Sequence, residues 1–127
     1  MKTLITLICI CFLVLSCEDV VEVDLEEAQP RLVVDAAIQW KKGESGREQV
    51  IKLSRTRGFF NQEPIPVDDA EISIQNSRGF TFDFEEENPG QYVTQSFLPE
   101  INMKYTLEIK VNNNTYTAEE VLKSVAA

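Results

Sequence analysis

Histidine is absent from this chain of 127 residues, and its three cysteines, Cys9, Cys11 and Cys17, all precede residue 18. Beyond Cys17 this removes the histidine general base, the histidine triads and any zinc site built on imidazole or thiolate. Ser45, Ser54, Ser73, Ser77, Ser96 and Ser124 have no activating partner that spacing identifies. What remains for acid–base or metal chemistry is carboxylate: Asp68 beside Asp69, and the run Glu85, Glu86, Glu87. A glycosidase needs two such groups roughly 5 to 9.5 Å apart, and a calcium ion needs about six to eight oxygens. Both groups fall at strand ends or turns, where contact with water accounts for them, and no EF-hand spacing accompanies them. The expectation is a chain with no catalytic residue and no metal site, not an enzyme.

Binding chemistry has better candidates. Phe59 and Phe60 are adjacent, so a strand would send their rings to opposite faces, and they stand in a segment broken by Gly58, Pro64 and Pro66. Arg55 and Arg57 lie just upstream. Aromatic and arginine side chains are enriched at binding hot spots, and long sandwich loops carry recognition. Arg55, Arg57, Phe59 and Phe60 are therefore the candidate partner contact; the competing reading has both rings capping the open end of a sandwich. Trp40 or Phe59 could instead act as a stacking ring for a glycan.

Charge narrows the partners. With 12 basic against 21 acidic residues, the formal net charge is −9. No basic footprint for nucleic acid is visible, and direct adhesion of the protein surface to an anionic bilayer is disfavoured.

The elements that must position these residues are strands. Leu32, Val34, Ala36, Ile38 and Trp40 recur at period two in 31–40, and Ile51 and Leu53 do so in 48–55. Residues 57–69 read as a loop, because two prolines oppose a central strand. Ala70, Ile72 and Ile74, then a turn at Asn76–Gly79, then Phe80, Phe82 and Phe84 predict a β-hairpin with one aromatic face. Further strands are expected over 91–97 and 104–111, with a weaker one over 115–121 after a turn at Asn112–Asn114. Phe80, Phe82, Phe84, Tyr105 and Trp40 are assigned to the core, with the Tyr105 hydroxyl reaching a neighbouring backbone group as in a tyrosine corner. About seven strands and no convincing amphipathic helix predict an all-β, antiparallel β-sandwich, immunoglobulin-like or transthyretin-like, over residues 30–121. Residues 122–127 are a tail or the start of a further domain. Residues 17–29 are an acidic tether, in which Val21, Val23 and Leu25 also alternate as a short first strand would.

Residues 1–16 have a different character. Lys2 precedes an apolar run from Leu4 to Leu15 that would be about 18 Å long as a helix, short of the roughly 30 Å hydrocarbon core, and this is the size of a signal-peptide core. The closing Val14-Leu15-Ser16-Cys17 resembles the lipobox of bacterial lipoproteins. That resemblance implies cleavage after Ser16 and covalent diacylglycerol and N-acyl lipid on Cys17, and several acyl chains anchor stably where one holds reversibly. The lipid bilayer is then a partner through the anchor; no other cofactor is expected.

Cys17-Glu18-Asp19-Val20, Arg31 to Val34 (RLVV), Leu53 to Phe60 (LSRTRGFF), Val67 to Ile74 (VDDAEISI), Pro89 to Tyr92 (PGQY) and Tyr105 to Ile109 (YTLEI) together resemble the amino-terminal part of a family of uncharacterised Bacteroidota lipoproteins, a domain of unknown function. The resemblance implies residence at the cell outer membrane, an outer-membrane receptor of the TonB-dependent class as a neighbour, and no established activity. From Val67 to Tyr116 the chain is also similar to carboxypeptidase-regulatory-like and transthyretin-like modules, with Ala70, Pro89, Gly90, Tyr92 and Tyr105 in matching places. A glycine common before the last tyrosine of those modules is missing, where Pro99 to Lys104 reads PEINMK.

Overall fold

The computed structural model describes residues 1, 29–57 and 63–125. The alternation of Ile72 and Ile74 with Phe82 and Phe84 becomes its central hairpin. Strand β4 (Glu71–Asn76) pairs antiparallel with β5 (Thr81–Asn88), Ile72 opposite Phe84 and Ile74 opposite Phe82. All four side chains are buried. On its other edge β4 pairs with β7 (Lys104–Val111), which pairs with β8 (Asn114–Val121) through a two-residue turn. That turn needs positive φ at both central positions, and Asn112 and Asn113 supply it at 49° and 62°.

Strand β5 belongs to two sheets. Its first half pairs with β4, while Glu85 to Asn88 pair with β6 (Gln91–Thr94), with a register shift between Glu86 and Asn88. A bulge of this kind bends a strand and increases its twist. Strand β6 pairs in turn with β2 (Gln49–Arg55), and β2 with the edge strand β1 (Leu32–Ala36). The path is β1-β2-β6-β5-β4-β7-β8, every pairing antiparallel, and the sheet curls into a half-barrel of the immunoglobulin-like or transthyretin-like sandwich type. The inner faces enclose Leu53, Tyr92, Ile109 and Phe97, with the Phe97 ring 4.8 Å from that of Phe82 and 5.1 Å from that of Tyr105.

Four expectations need correction. The loop expected over 57–69 contains a two-residue strand, β3 (Ile65–Pro66), which lies beside β2 with Pro66 opposite Ser54. Proline is tolerated there because β3 pairs with β2 alone, so no second neighbour asks for its missing N–H. The strand expected over 31–40 stops at Ala36, and Val33 and Val34 are both exposed, because β1 is the edge of the sheet. Trp40 is not core: past Ala36 the backbone of Gln39 is held by the Gln49 side chain, and the indole that follows is exposed, its N–H donating to the Glu44 carbonyl at 2.9 Å. Phe80 is not core either. It precedes β5 in the turn, its amide donating to Asn76 Oδ1 at 3.0 Å and its carbonyl accepting from the Asn76 amide at 2.9 Å, and the ring faces water.

Candidate functional site

The strands run between two ends of the half-barrel. At the proximal end the chain enters β1 from Arg31, and β2 finishes beside it, Leu32 opposite Arg55. The 63–70 segment and the turn between β5 and β6 are at the same end, since Arg55 faces Ile65 and the Leu53 amide donates to the Gly90 carbonyl at 2.8 Å. At the distal end stand the β1–β2 connection, the β4–β5 turn and the β6–β7 connection. They are joined by a Phe97 amide to Arg47 carbonyl bond of 3.1 Å, a Ser77 amide to Lys104 carbonyl bond of 3.0 Å and an Arg78–Glu100 ion pair.

One buried tyrosine fastens each end. The Tyr92 hydroxyl donates to the Val67 carbonyl at 2.9 Å and accepts from the Ala70 amide at 3.1 Å. The Tyr105 hydroxyl donates to the Leu98 carbonyl and accepts from the Glu100 amide, both at 2.9 Å, which is the tyrosine corner expected from sequence. Burial pushes the pKa of both phenols above the ordinary tyrosine value, so both stay protonated donors at neutral pH. In the turn before Tyr105, where the modules that the sequence resembles have a glycine, Asn102 adopts φ 63°.

The carboxylates at the proximal end act on their own backbone. Glu86 accepts from the Gly90 amide at 3.1 Å and the Asp69 amide at 3.3 Å. Loss of solvation raises the Asp68 carboxyl above its ordinary pKa, and the Glu86 charge and hydrogen bond add to that, against a backbone bond from Gly90 that lowers it. Glu85, Glu86 and Glu87 also line a polar groove of about 550 Å³ with Asp83, Thr94 and Ser96. Among the described residues no group of three or more histidine, cysteine or acidic side chains could hold a metal ion.

Of the residues named from sequence, Arg55 is half-buried at the end of β2 and Arg57 is exposed just past it. Phe59 and Phe60 lie outside the described residues, as does Cys17. Trp40 is at the distal end, away from Arg55 and Arg57.

Of the distal surface, sequence reasoning named Trp40 alone. Phe80 is 60% exposed, Leu98 54%, Trp40 42% and Ile101 39%, and all four stand on the three joined connections. A methyl group built on Gly46 would meet Trp40 Cδ1 and Pro99 Cγ, each at 2.7 Å, so the indole and the 98–101 loop are neighbours. The available signals were positional: Phe80 follows Gly79 directly, and Leu98 precedes a proline. A second apolar feature is the open side of the half-barrel, a cleft of about 540 Å³ lined by Ile38, Ile51, Ile74, Phe84, Leu107 and Val121 among others.

No helix among the described residues is long and apolar enough to cross a membrane. No curated protein and no solved structure matches the chain significantly. The domain of unknown function DUF4249 matches residues 18–126, and since that is most of the 127 residues, the chain belongs to the DUF4249 family.

Proposed function

We propose that this protein is a non-catalytic interaction module held at the outer membrane by lipid on Cys17, contacting an outer-membrane receptor of the TonB-dependent class. One observation carries the reading: the family match opens at residue 18, immediately after Cys17, which supports taking the apolar run before it as a leader and Cys17 as the residue that receives lipid. The sandwich supports a binding role, because its ends present side chains on connections that the sheet holds in place. Two surfaces compete for that contact: Arg55, Arg57, Phe59 and Phe60, expected from sequence, and the exposed apolar side chains of the distal end.

Mass analysis of the protein extracted from membranes tests the anchor. The expected product has lost residues 1–16 and gained diacylglycerol and an N-acyl chain on Cys17, and Cys17→Ala leaves the leader attached. A product that retains Met1, or a bare Cys17 thiol, refutes the reading. A carbohydrate-binding accessory role is the second reading, favoured by the half-exposed Trp40 ring; glycan-array binding by the soluble body, lost in Trp40→Ala, would establish it.

A further inference from the structure

We infer that the distal end, centred on Trp40, Phe80, Leu98 and Ile101, is the docking surface for a partner protein whose complementary face has an apolar centre and a carboxylate rim. The inference rests on the interaction-module reading and gives it a surface and a partner chemistry. Exposed large apolar side chains scattered singly need no explanation, but four on three loops joined at one end form a patch. The patch holds still. Tyr105 fixes the 98–100 backbone from below, and Phe97, wholly buried, anchors the same connection between Phe82 and Tyr105. Side chains presented on such a support lose little freedom on binding, which favours affinity.

Charge selects the partner. The segment 41–48 beside the patch carries Lys41, Lys42 and Arg47 against Glu44 and Glu48, an excess of cation in a chain of net −9. None of these three cations enters the ion pairs of the described residues, which join Arg78 to Glu100, Lys104 to Glu119 and Lys110 to Glu108. The proximal end is acidic on balance, with Glu63, Asp68, Asp69, Glu71, Glu86 and Glu87 against Arg31, Arg55 and Arg57. A face rimmed by carboxylates thus fits the distal end better than the proximal one, and such complementarity sets orientation and encounter rate more than affinity. The chain enters at the proximal end, so an anchor on Cys17 leaves the distal end free to meet a partner.

The test uses the full chain in its native membrane, with photo-reactive benzoylphenylalanine in place of Phe80 or, for contrast, of Arg57. The expected result is a discrete adduct from position 80 and none from position 57. Leu98→Asp should reduce it at least tenfold, as should Lys41→Glu with Lys42→Glu, and it should weaken as salt rises from about 50 to 500 mM. Leu98 is exposed, so Leu98→Asp leaves the thermal midpoint unchanged and loss of the adduct reports binding; Phe80→Ser, crosslinked from position 101, is the second variant. Equal adducts from both positions, an adduct indifferent to Leu98→Asp, or an adduct only with a second copy of the chain overturns the inference. So does a blue shift of Trp40, the one tryptophan, on phosphatidylcholine–phosphatidylglycerol vesicles, which would make the patch a membrane contact. Acylated Cys17 with no adduct at position 80 removes this inference alone; an adduct without acylation removes the anchor alone.

Discussion

The two ends of the half-barrel are closed by the same device and present opposite surfaces. At each, a buried tyrosine hydroxyl gives its proton to one loop carbonyl and takes one from a loop amide: Tyr92 with Val67 and Ala70, Tyr105 with Leu98 and Glu100. Backbone polar groups that leave the sheet must find partners, and one side chain at each end of the half-barrel satisfies two of them. The outward residues are then released from structural duty. At the proximal end Glu86 caps its own turn; at the distal end Phe80, Leu98 and Ile101 expose apolar side chains, and Lys41, Lys42 and Arg47 enter none of the ion pairs of the described residues. The comparison teaches that closure of a sandwich end and its surface chemistry are set by different residues, so each can be broken separately.

Glycine substitutions should break closure most, and unequally. Gly90 has φ 70°, and an added methyl would lie 2.5 Å from the Leu53 carbonyl oxygen and 2.9 Å from Pro66 Cβ. Backbone cannot swing aside, so Gly90→Ala should cost about 3 kcal/mol in chemical denaturation. At Gly46, with φ 65°, the obstacles are the Trp40 and Pro99 side chains. These can shift, so Gly46→Ala should cost about 1 to 2 kcal/mol and also change the Trp40 emission.

Next is Gln49, buried in β2. Its carboxamide takes the Gln39 amide at 2.8 Å and donates to the Gln39 and Gly46 carbonyls, each at 2.8 Å, standing in for a strand where β1 has ended. Gln49→Leu keeps the volume and leaves three backbone groups short, for a cost of about 2 kcal/mol by denaturation. Because those groups lead into Trp40, distal-patch crosslinking should fall with it.

How much of this was legible follows from what side chains repeat. Ile72, Ile74, Phe82, Phe84, Tyr105 and Ile109 alternate because the sheet buries one face, so the β4–β5 hairpin, β7 and the sandwich class could be read directly. Gln49 could not, because a polar residue at an inward position looks like an interruption until its backbone partners are seen. Trp40 and Phe80 kept the period but lay beyond the ends of their strands, and alternation does not say where a ladder stops. The β3 strand was hidden by its proline. The Tyr105 contact was readable from its motif, whereas the convergence of Leu98, Ile101, Phe80 and Trp40 depends on three loops far apart in sequence.

Removing the tyrosine hydroxyls should separate the two ends. Tyr92→Phe and Tyr105→Phe each orphan one carbonyl and one amide while keeping the ring, for about 1 to 2 kcal/mol apiece. Amide exchange should rise at Ala70 in the first variant and at Glu100 in the second. Exchange rising at both ends in either variant would show that the ends close as one unit.

The smallest effects lie in pH, and their signs should oppose. Asp68 at the proximal end has its pKa raised, by lost solvation first and then by Glu86, so folding favours its protonated form. Its contribution is fully present below the ordinary aspartate value and is lost as pH rises through the raised one; at neutral pH the charge costs stability. Glu119, reached across the β7–β8 ladder by Lys104 at 2.8 Å, has its pKa lowered by that hydrogen bond and charge. It contributes above the ordinary glutamate value and loses that contribution as pH falls through the lowered one. Asp68→Asn should therefore raise the neutral-pH midpoint slightly, with the gain vanishing on acidification, whereas Lys104→Met should lower it slightly, with the loss vanishing on acidification. Both groups are open to water, so 0.5 M salt should shrink both differences; differences that survive such salt would place the cause in packing and not in charge.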